Sequence, residues 1–287
     1  MRKNYLLSTE HLESGLWFRS EDDFIVAMNY VAIQAACSPE VVVLAFILMS
    51  NHIHLVLRGL RQDVIDFVVL LKQRYSRYYS RQYGVTEFLR RNGMDVKEIS
   101  QEDEALERAI AYVHMNCVSA NICAYPYQYP WGTGNCFFNP DNSGGKRLGD
   151  LSTRACKTLL RTRIDQIPQD WRISEKGYVL PASYVNVKGV ETCFQTPKRM
   201  LYFLNNSSKA KKRIEGAEVS FRDQSILFCL PDLLRSLFQK GSFRALQDEE
   251  KVECVRQIRF RFNADATQIA RVCEITYAQA ADYLDRV

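Results

Sequence analysis

The chain has 287 residues, 47% of them hydrophobic and 25% charged, which excludes disorder as a default and allows one large core or two modest ones. A net charge of +5 is too mild to point to a nucleic-acid partner by itself. The longest apolar run, Val41 to Met49, is too short to cross a bilayer, and no signal-peptide core follows Met1-Arg2-Lys3, so a cytoplasmic protein with no membrane partner is expected.

Taken in chain order, Asn4 to Ser8 reads as a short strand. Ser20-Glu21-Asp22-Asp23 is a helix start, a capping residue followed by acids that suit the N-terminal dipole, and the helix runs to about Ala36. Val41 to Leu48 and Asn51 to Leu57 have strand character. From Asp63 the spacing turns helical, with Val64, Phe67, Val68, Leu71, Tyr75, Tyr78 and Gln82 on one face and Arg74, Arg77 and Arg81 on another. Ser100-Gln101-Glu102-Asp103 has the shape of a capping box opening a helix whose apolar stripe is Leu106, Ala109 or Ile110, Val113 and Cys117.

Asn139-Pro140-Asp141-Asn142-Ser143-Gly144-Gly145-Lys146 is the clearest loop and the expected domain boundary. The expected units are 1–135, mixed α and β; 136–215, a poorly patterned connection; and 216–287, mainly helical. Within the last, Thr267 to Ala280 has helix-turn-helix rhythm, although Glu274 stands where glycine would ease the turn and Asp282 and Asp285 would repel a phosphate backbone. Packing or dimerisation is the expected role, with direct DNA contact as the alternative. Nine cysteines are scattered singly with no Cys-x-x-Cys pair, so they read as reduced, mostly buried apolar residues.

Basic residues cluster in Lys72 to Arg91 and Lys198 to Arg213, acidic ones in Glu98 to Glu107 and Asp248 to Glu253. The most informative segment is Phe46 to Leu57, which places two of the four histidines, His52 and His54, in an otherwise apolar strand. Side chains alternate along a strand, so the two imidazoles share one face while Ile53, Leu55 and Leu57 share the other. Such a pair makes a bidentate metal site or a phosphate clamp. A metal needs at least a third ligand, and an oxygen donor would bias the site towards magnesium or manganese. Tyr112 and Asn116, four residues apart on the later helix, lie one above the other. If that face meets the His-x-His strand, Asn116 completes the metal site and Tyr112 presents its phenol to a phosphate.

Three segments together carry a resemblance. Met49-Ser50-Asn51-His52-Ile53-His54, the helix with Lys72-Gln73-Arg74-Tyr75-Ser76-Arg77-Tyr78-Tyr79, and Ala111-Tyr112-Val113-His114-Met115-Asn116-Cys117-Val118-Ser119-Ala120 resemble the single-tyrosine HUH transposases of the IS-200-like group. The branch most similar is the REP-associated tyrosine transposases, where a Tyr-Pro-Trp segment follows, here Tyr129-Pro130-Trp131. The likeness covers about the first 135 residues; Ser50 stands where proline is usual and Cys117 where Asn-Pro is usual.

The resemblance implies an α+β fold with a ferredoxin-like HUH core, an antiparallel sheet with helices packed on it, followed by the helical C-terminal region. It implies a Mg²⁺ or Mn²⁺ ion held by His52, His54 and Asn116, with Tyr112 as nucleophile. The expected partner is single-stranded DNA with hairpins, and the expected assembly a homodimer. Tyr112 would attack a phosphodiester to form a 5′-phosphotyrosine and free a 3′-hydroxyl, conserving the bond energy for rejoining. Lys72, Arg74, Arg77 and Arg81 are the expected phosphate contacts. Tyr75 and Tyr78 are expected in the core, whereas Tyr79 and Tyr83 suit base stacking. His114 reads as an exposed helix histidine, with a proton shuttle as its functional alternative. Lys209, Lys211, Lys212 and Arg213 would either aid hairpin recognition or solvate a loop. The competing class is a domesticated hairpin-binding protein that does not cut, and a third is an unrelated metal hydrolase.

Overall fold

A computed structural model of the chain describes residues 1–102, 104–164, 167–209 and 221–286. Its first part runs β1 (Lys3–Thr9), α1 (Glu21–Cys37), β2 (Val42–Met49), β3 (His52–Gly59), α2 (Arg61–Tyr83), β4 (Met94–Glu98) and α3 (Ala105–His114). The four strands form one antiparallel sheet in the order β2-β3-β1-β4. The fold is thus α+β, with β3 internal between β2 and β1. Both helical crossovers, β1-α1-β2 and β3-α2-β4, join strands that run parallel, so their right-handed paths put α1 and α2 on the same face, where they pack together. α3 lies across β2 and β3 on the opposite face.

The start of α1 is fixed by chemistry the sequence displays. The Ser20 hydroxyl accepts from the Asp23 amide and the Asp23 carboxylate returns to the Ser20 amide, closing the capping box. Asp23 does more than cap. It is wholly buried, accepts from the Arg19 amide at 2.8 Å, and receives the Tyr78 and Tyr83 hydroxyls at 2.7 Å each. One carboxylate therefore ties the N-terminus of α1 to the far half of α2. On α2 the expected apolar face is buried except for Gln82, which is exposed; Tyr79 is buried in its stead. Gly84 ends the helix in the left-handed conformation at φ 68°.

α3 begins differently from expectation. Its N-cap is Glu104, in left-handed backbone and without a side-chain cap, while the Ser100 hydroxyl accepts from the Glu102 amide in a local turn. The chain spends Ser100 on that turn and starts the helix five residues later; Asp103, the expected partner, lies outside the described residues.

β2 would be an open edge, a template for stray pairing, but later chain covers it. The Leu48 amide donates to the Trp131 carbonyl at 2.8 Å, the Tyr129 hydroxyl donates to the Leu48 carbonyl at 2.7 Å, and the Thr133 amide donates to the Phe46 carbonyl at 3.0 Å. Further along, the Asn186 amide donates to Val43 at 2.9 Å. Gly132 permits this strap, because a Cβ there would lie 2.6 Å from the Phe46 carbonyl oxygen. Tyr129-Pro130-Trp131 is thus an edge cover.

α3 is followed by α4 (Asn116–Ser119), and beyond the strap lie α5 (Thr153–Leu160), α6 (Val187–Phe194), α7 (Pro197–Asn205), α8 (Asp223–Phe238), α9 (Asp248–Phe262), α10 (Ala266–Cys273) and α11 (Tyr277–Asp285). The loop at 139–146 is not a boundary between cores. Leu148, Trp171, Val179 and Phe194 belong to the same buried cluster as Leu7, Phe24 and Phe46, because Asn29 of α1 receives the Val179 amide and donates to Gly177, stapling the middle segment to the sheet domain. A second cluster, Ile226 to Tyr283, is separate. The expected start at 216 lies outside the described residues. The helix-turn-helix segment is α10 and α11, with Glu274 at φ 55° in the turn and a Thr276–Gln279 capping box. Tyr277, Gln279, Asp282 and Asp285 are exposed on α11. No described helix is long and apolar enough to cross a membrane.

Asp23→Ala should lower the free energy of unfolding by about 3 kcal/mol, since one buried and one half-buried phenol lose their acceptor. Urea titration of wild type and variant checks this, and a change below about 1 kcal/mol would reject the hub role.

Candidate functional site

The β2–β3 turn is Ser50-Asn51, and its polar groups bind the loop after β1. The Ser50 carbonyl accepts from Trp17 and Phe18. The Asn51 side-chain amide donates to the Leu12 carbonyl at 2.9 Å, which leaves Oδ1 facing His52 Nδ1 at 2.8 Å. An acceptor there requires Nδ1 to carry the proton, so His52 Nε2 bears a lone pair. His54 Nδ1 meets the Ser8 hydroxyl at 2.7 Å, across the β1–β3 register that pairs these residues. Nε2 of both rings is buried without a hydrogen-bond partner among the described residues. Two bare ring nitrogens in a dry site are the observation that calls for a cation.

Burial keeps both rings neutral. It drives the His52 pKa well down and that of His54 to about 3, with neighbouring imidazoles and Lys209 adding to the effect. The rings stand edge to face at 85° with centroids 4.7 Å apart, an arrangement in which their lone pairs can converge.

α3 turns the expected face towards them. The Tyr112 ring is edge-on to His54, 5.6 Å between centroids. The Asn116 side-chain amide donates to the carbonyls of Tyr112, at 2.8 Å, and Val113, at 3.2 Å, directing its oxygen outwards. Asn116 stands near enough to His54 to favour the ring's charged form, against the stronger lowering by burial. Tyr112 is half-buried, and desolvation lifts its phenol above the ordinary value. His52, His54, Tyr112 and Asn116 are therefore brought together.

A residue missed in the sequence joins them. His11, in the loop after β1, has a ring nitrogen in a set with His52 and His54 whose ligand atoms all lie within 4.8 Å of one another. Its ring stacks on His52 at 3.6 Å and 13°, however, and parallel rings have parallel lone pairs, so His11 must swing out of the stack to share an ion. The signal in sequence was only that the third histidine follows the strand that pairs with β3. A metal ion suits the set: the bare Nε2 atoms, with Asn116 oxygen or His11 as third donor, are neutral ligands.

The basic residues of α2 are not at this site. They lie on the helix that covers the other sheet face. The Lys72 ammonium donates to the Asn92 carbonyl, Arg74 lies 5.8 Å over the Tyr30 ring, and Arg77 and Arg81 are exposed. The rival tyrosines are also occupied elsewhere. Tyr75 donates to the Trp17 carbonyl, and Tyr78 and Tyr83 donate to Asp23. Tyr79, expected to stack on bases, is buried against Phe88 with ring centroids 3.7 Å apart. Burying an aromatic ring in the core outweighs leaving it for a ligand.

His114 is neither an exposed residue nor placed as a shuttle. It is 1% exposed, Nε2 meets the Thr133 hydroxyl at 2.9 Å, and its pKa is pushed down by burial to about 4. Lys209 does reach the site, its ammonium 4.9 Å from the Tyr112 ring centroid. Lys211, Lys212 and Arg213 lie outside the described residues. Compared with known proteins, the chain matches no family model, no curated protein and no solved structure.

Because His52 and His54 are already deprotonated well below neutrality, Mn²⁺ should raise the melting temperature as much at pH 5.5 as at pH 7.5. A site of ordinary histidines would lose about tenfold in affinity per ring over that range. Differential scanning fluorimetry with His54→Ala as control reads this out; equal stabilisation of the variant would remove the assignment. For His114 the folded pKa lies below the unfolded value near 6.5, so the unfolded chain binds the extra proton. Its effect is absent above that pH, and stability falls as the pH drops from about 6.5 to 4, by about 3 kcal/mol in all. His114→Gln should remove that share of the slope in denaturation curves taken across the range, leaving the share due to His52 and His54.

Proposed function

We propose that this protein is a metal-dependent transposase of the single-tyrosine HUH kind, cleaving and rejoining single-stranded DNA at hairpin-forming sites through a 5′-phosphotyrosine on Tyr112. The observation that carries the reading is the meeting of Tyr112 of α3 and Asn116, the first residue of α4, with the bare imidazole pair of β3. The β-α-β-β-α-β order, with the histidines on an internal strand of a four-stranded antiparallel sheet, supports a ferredoxin-like HUH core.

His52 and His54 would hold Mg²⁺ or Mn²⁺ with Asn116 as third ligand, and of the two ions imidazole donors favour Mn²⁺. When bound, the ion supplies Lewis-acid polarisation of a phosphate oxygen. Everything else falls to the chain. Ser8 and Asn51 fix the rings so that Nε2 points inwards. Asn116, anchored to the Tyr112 carbonyl, couples the tyrosine's position to that of the rings. The Tyr112 oxygen attacks phosphorus, the bond from phosphorus to the 3′-oxygen breaks, the phenol proton passes to solvent, and the departing oxygen takes up a proton. A raised phenol pKa means that Tyr112 arrives protonated, so the step depends on charge stabilisation at the phosphate.

Lys72, Arg74, Arg77 and Arg81 would meet DNA away from the cut phosphate, on the α2 side. Two copies, a homodimer, would handle two ends. The non-cutting hairpin binder has the same partner without the chemistry.

Incubation with single-stranded hairpins from the DNA flanking its gene, plus Mn²⁺, should give a covalent protein–DNA adduct on denaturing gels. Tyr112→Phe should abolish it, and His52→Ala should reduce it by about 10² or more. An adduct that survives Tyr112→Phe overturns the nucleophile; binding that persists in chelator with no cleavage under any metal returns the protein to the binding class.

A further inference from the structure

Two tyrosines ahead of the strap are held in solvent in a fixed arrangement. Tyr125 and Tyr127 are 47% and 57% exposed, yet their rings are stacked, with centroids 5.5 Å apart and planes 11° from parallel. The short helical turn that carries them, Pro126–Gln128, is pinned at both ends. The Gln128 side-chain oxygen accepts from the Ala124 and Tyr125 amides, each at 3.1 Å. On the other side Gly134 lies so close that a Cβ there would come 2.5 Å from the Pro126 carbonyl oxygen. A rigid, exposed aromatic pair forgoes the burial that stabilises the other rings of this chain, and it offers a flat stacking surface instead.

Beside the pair is a cavity of about 290 Å³, at the small end of ligand pockets. Tyr127 lines it, together with Asp141, Asn142, Arg222 and Lys176. Lys176 is engaged by Glu21. The Asn142 amide nitrogen donates to the Cys136 carbonyl, so its oxygen is the acceptor offered to a ligand. A bare phosphate would suit Arg222 but be repelled by Asp141. A flat ring with amino or imino donors on its edge suits the whole set: it stacks on Tyr127, donates to Asn142 and Asp141, and leaves its own phosphate to Arg222.

The cavity lies at the histidine end of the sheet. Trp131 pairs with Leu48, and Leu48 pairs with Ile53, the residue between His52 and His54. Two strand spacings, roughly 10 Å, therefore separate β3 from the strap. Pro130 and Gly132, on either side of Trp131, line the cavity.

We propose that this cavity, with the Tyr125–Tyr127 stack as its platform, binds one unpaired nucleobase of a DNA strand whose phosphodiester lies at the imidazole pair. This rests on the reading that the substrate is single-stranded DNA. A base held there sets the register of the strand relative to Tyr112 without touching the phosphate that is cut.

The test uses full-length protein carrying Tyr112→Phe, which forms no adduct, in chelator, so that the metal site contributes nothing. Fluorescence anisotropy at constant ionic strength compares a short single strand of mixed sequence with the same strand made wholly abasic. The base-bearing strand should bind about tenfold more tightly. Adding Tyr127→Ala should weaken the base-bearing strand about tenfold and the abasic strand by less than about twofold, while Tyr127→Phe, which keeps the ring, should stay within about twofold of the parent. Tyr127→Lys should lose the preference for bases even if its charge tightens both strands. Equal binding of the two strands by the parent, or a preference that survives both Tyr127→Ala and Tyr127→Lys, overturns the base site. The adduct assay with Tyr112 intact separates the two readings. Adducts without a base preference remove this site and keep the transposase, whereas a Tyr127-dependent preference without adducts keeps the site in a protein that binds and does not cut.

Discussion

The pairing of β3 between β1 and β2 is the constraint on which the rest of the molecule depends. An internal strand has no freedom to rotate, so its alternation decides that His52 and His54 face one way and Ile53, Leu55 and Leu57 the other. The neighbouring strand then supplies Ser8 opposite His54, and the turn supplies Asn51 beside His52. Each partner takes Nδ1 and leaves Nε2 bare. A slip of one residue in the β1–β3 register would move Ser8 away from His54 and put the imidazoles against the apolar cover.

Holding two polar rings in such a place has a cost, visible in how far burial suppresses their protonation. The fold concentrates a second neutral histidine arrangement nearby. His114 binds Thr133, whose hydroxyl also donates to the Phe46 carbonyl and receives the Phe46 amide. Through that one threonine α3, the strap and β2 are fastened together. Tyr112 and Asn116 flank the fastened residue along the chain, so the side chains that meet the imidazoles inherit their position from an edge cover. The Tyr-Pro-Trp segment matters to the site because it holds the strand and helix at one spacing.

The C-terminal helices are not an appendage hung from a linker. Gln224 donates to the Phe18 carbonyl at 2.7 Å, Arg222 lies 5.7 Å over the Tyr129 ring, and Glu274 meets Arg19 at 3.4 Å. Glu274 pairs with Arg244 as well, which gives a reason for a glutamate in left-handed backbone where glycine would be easier. Its carboxylate docks the helical unit on the loop that also carries His11.

The elements of the first half were legible in the amino-acid order because each carries a local signal: the Ser20–Asp23 box, the apolar period of α2, the alternation through His52 and His54. Local rules placed Tyr112 and Asn116 on one helix, whereas the helix ends at His114 and Asn116 opens the next, held to Tyr112 by its side-chain amide. What they left undecided were matters of long-range packing. Nothing local says that Asn29 will staple residues 177–179 to the sheet domain, so a polar loop at 139–146 reads as a boundary when it is only a bend. Nor does helical periodicity say which sheet face a helix will cover; the handedness of the crossovers sent the arginines of α2 to one side and α3 to the other. The chain by itself determined that two imidazoles share one strand face and that a phenol and an amide follow four residues apart. Tertiary structure decided that His11 and Lys209, distant in sequence and unremarkable in pattern, stand beside them, because proximity across a sheet and a domain contact leaves no trace in spacing.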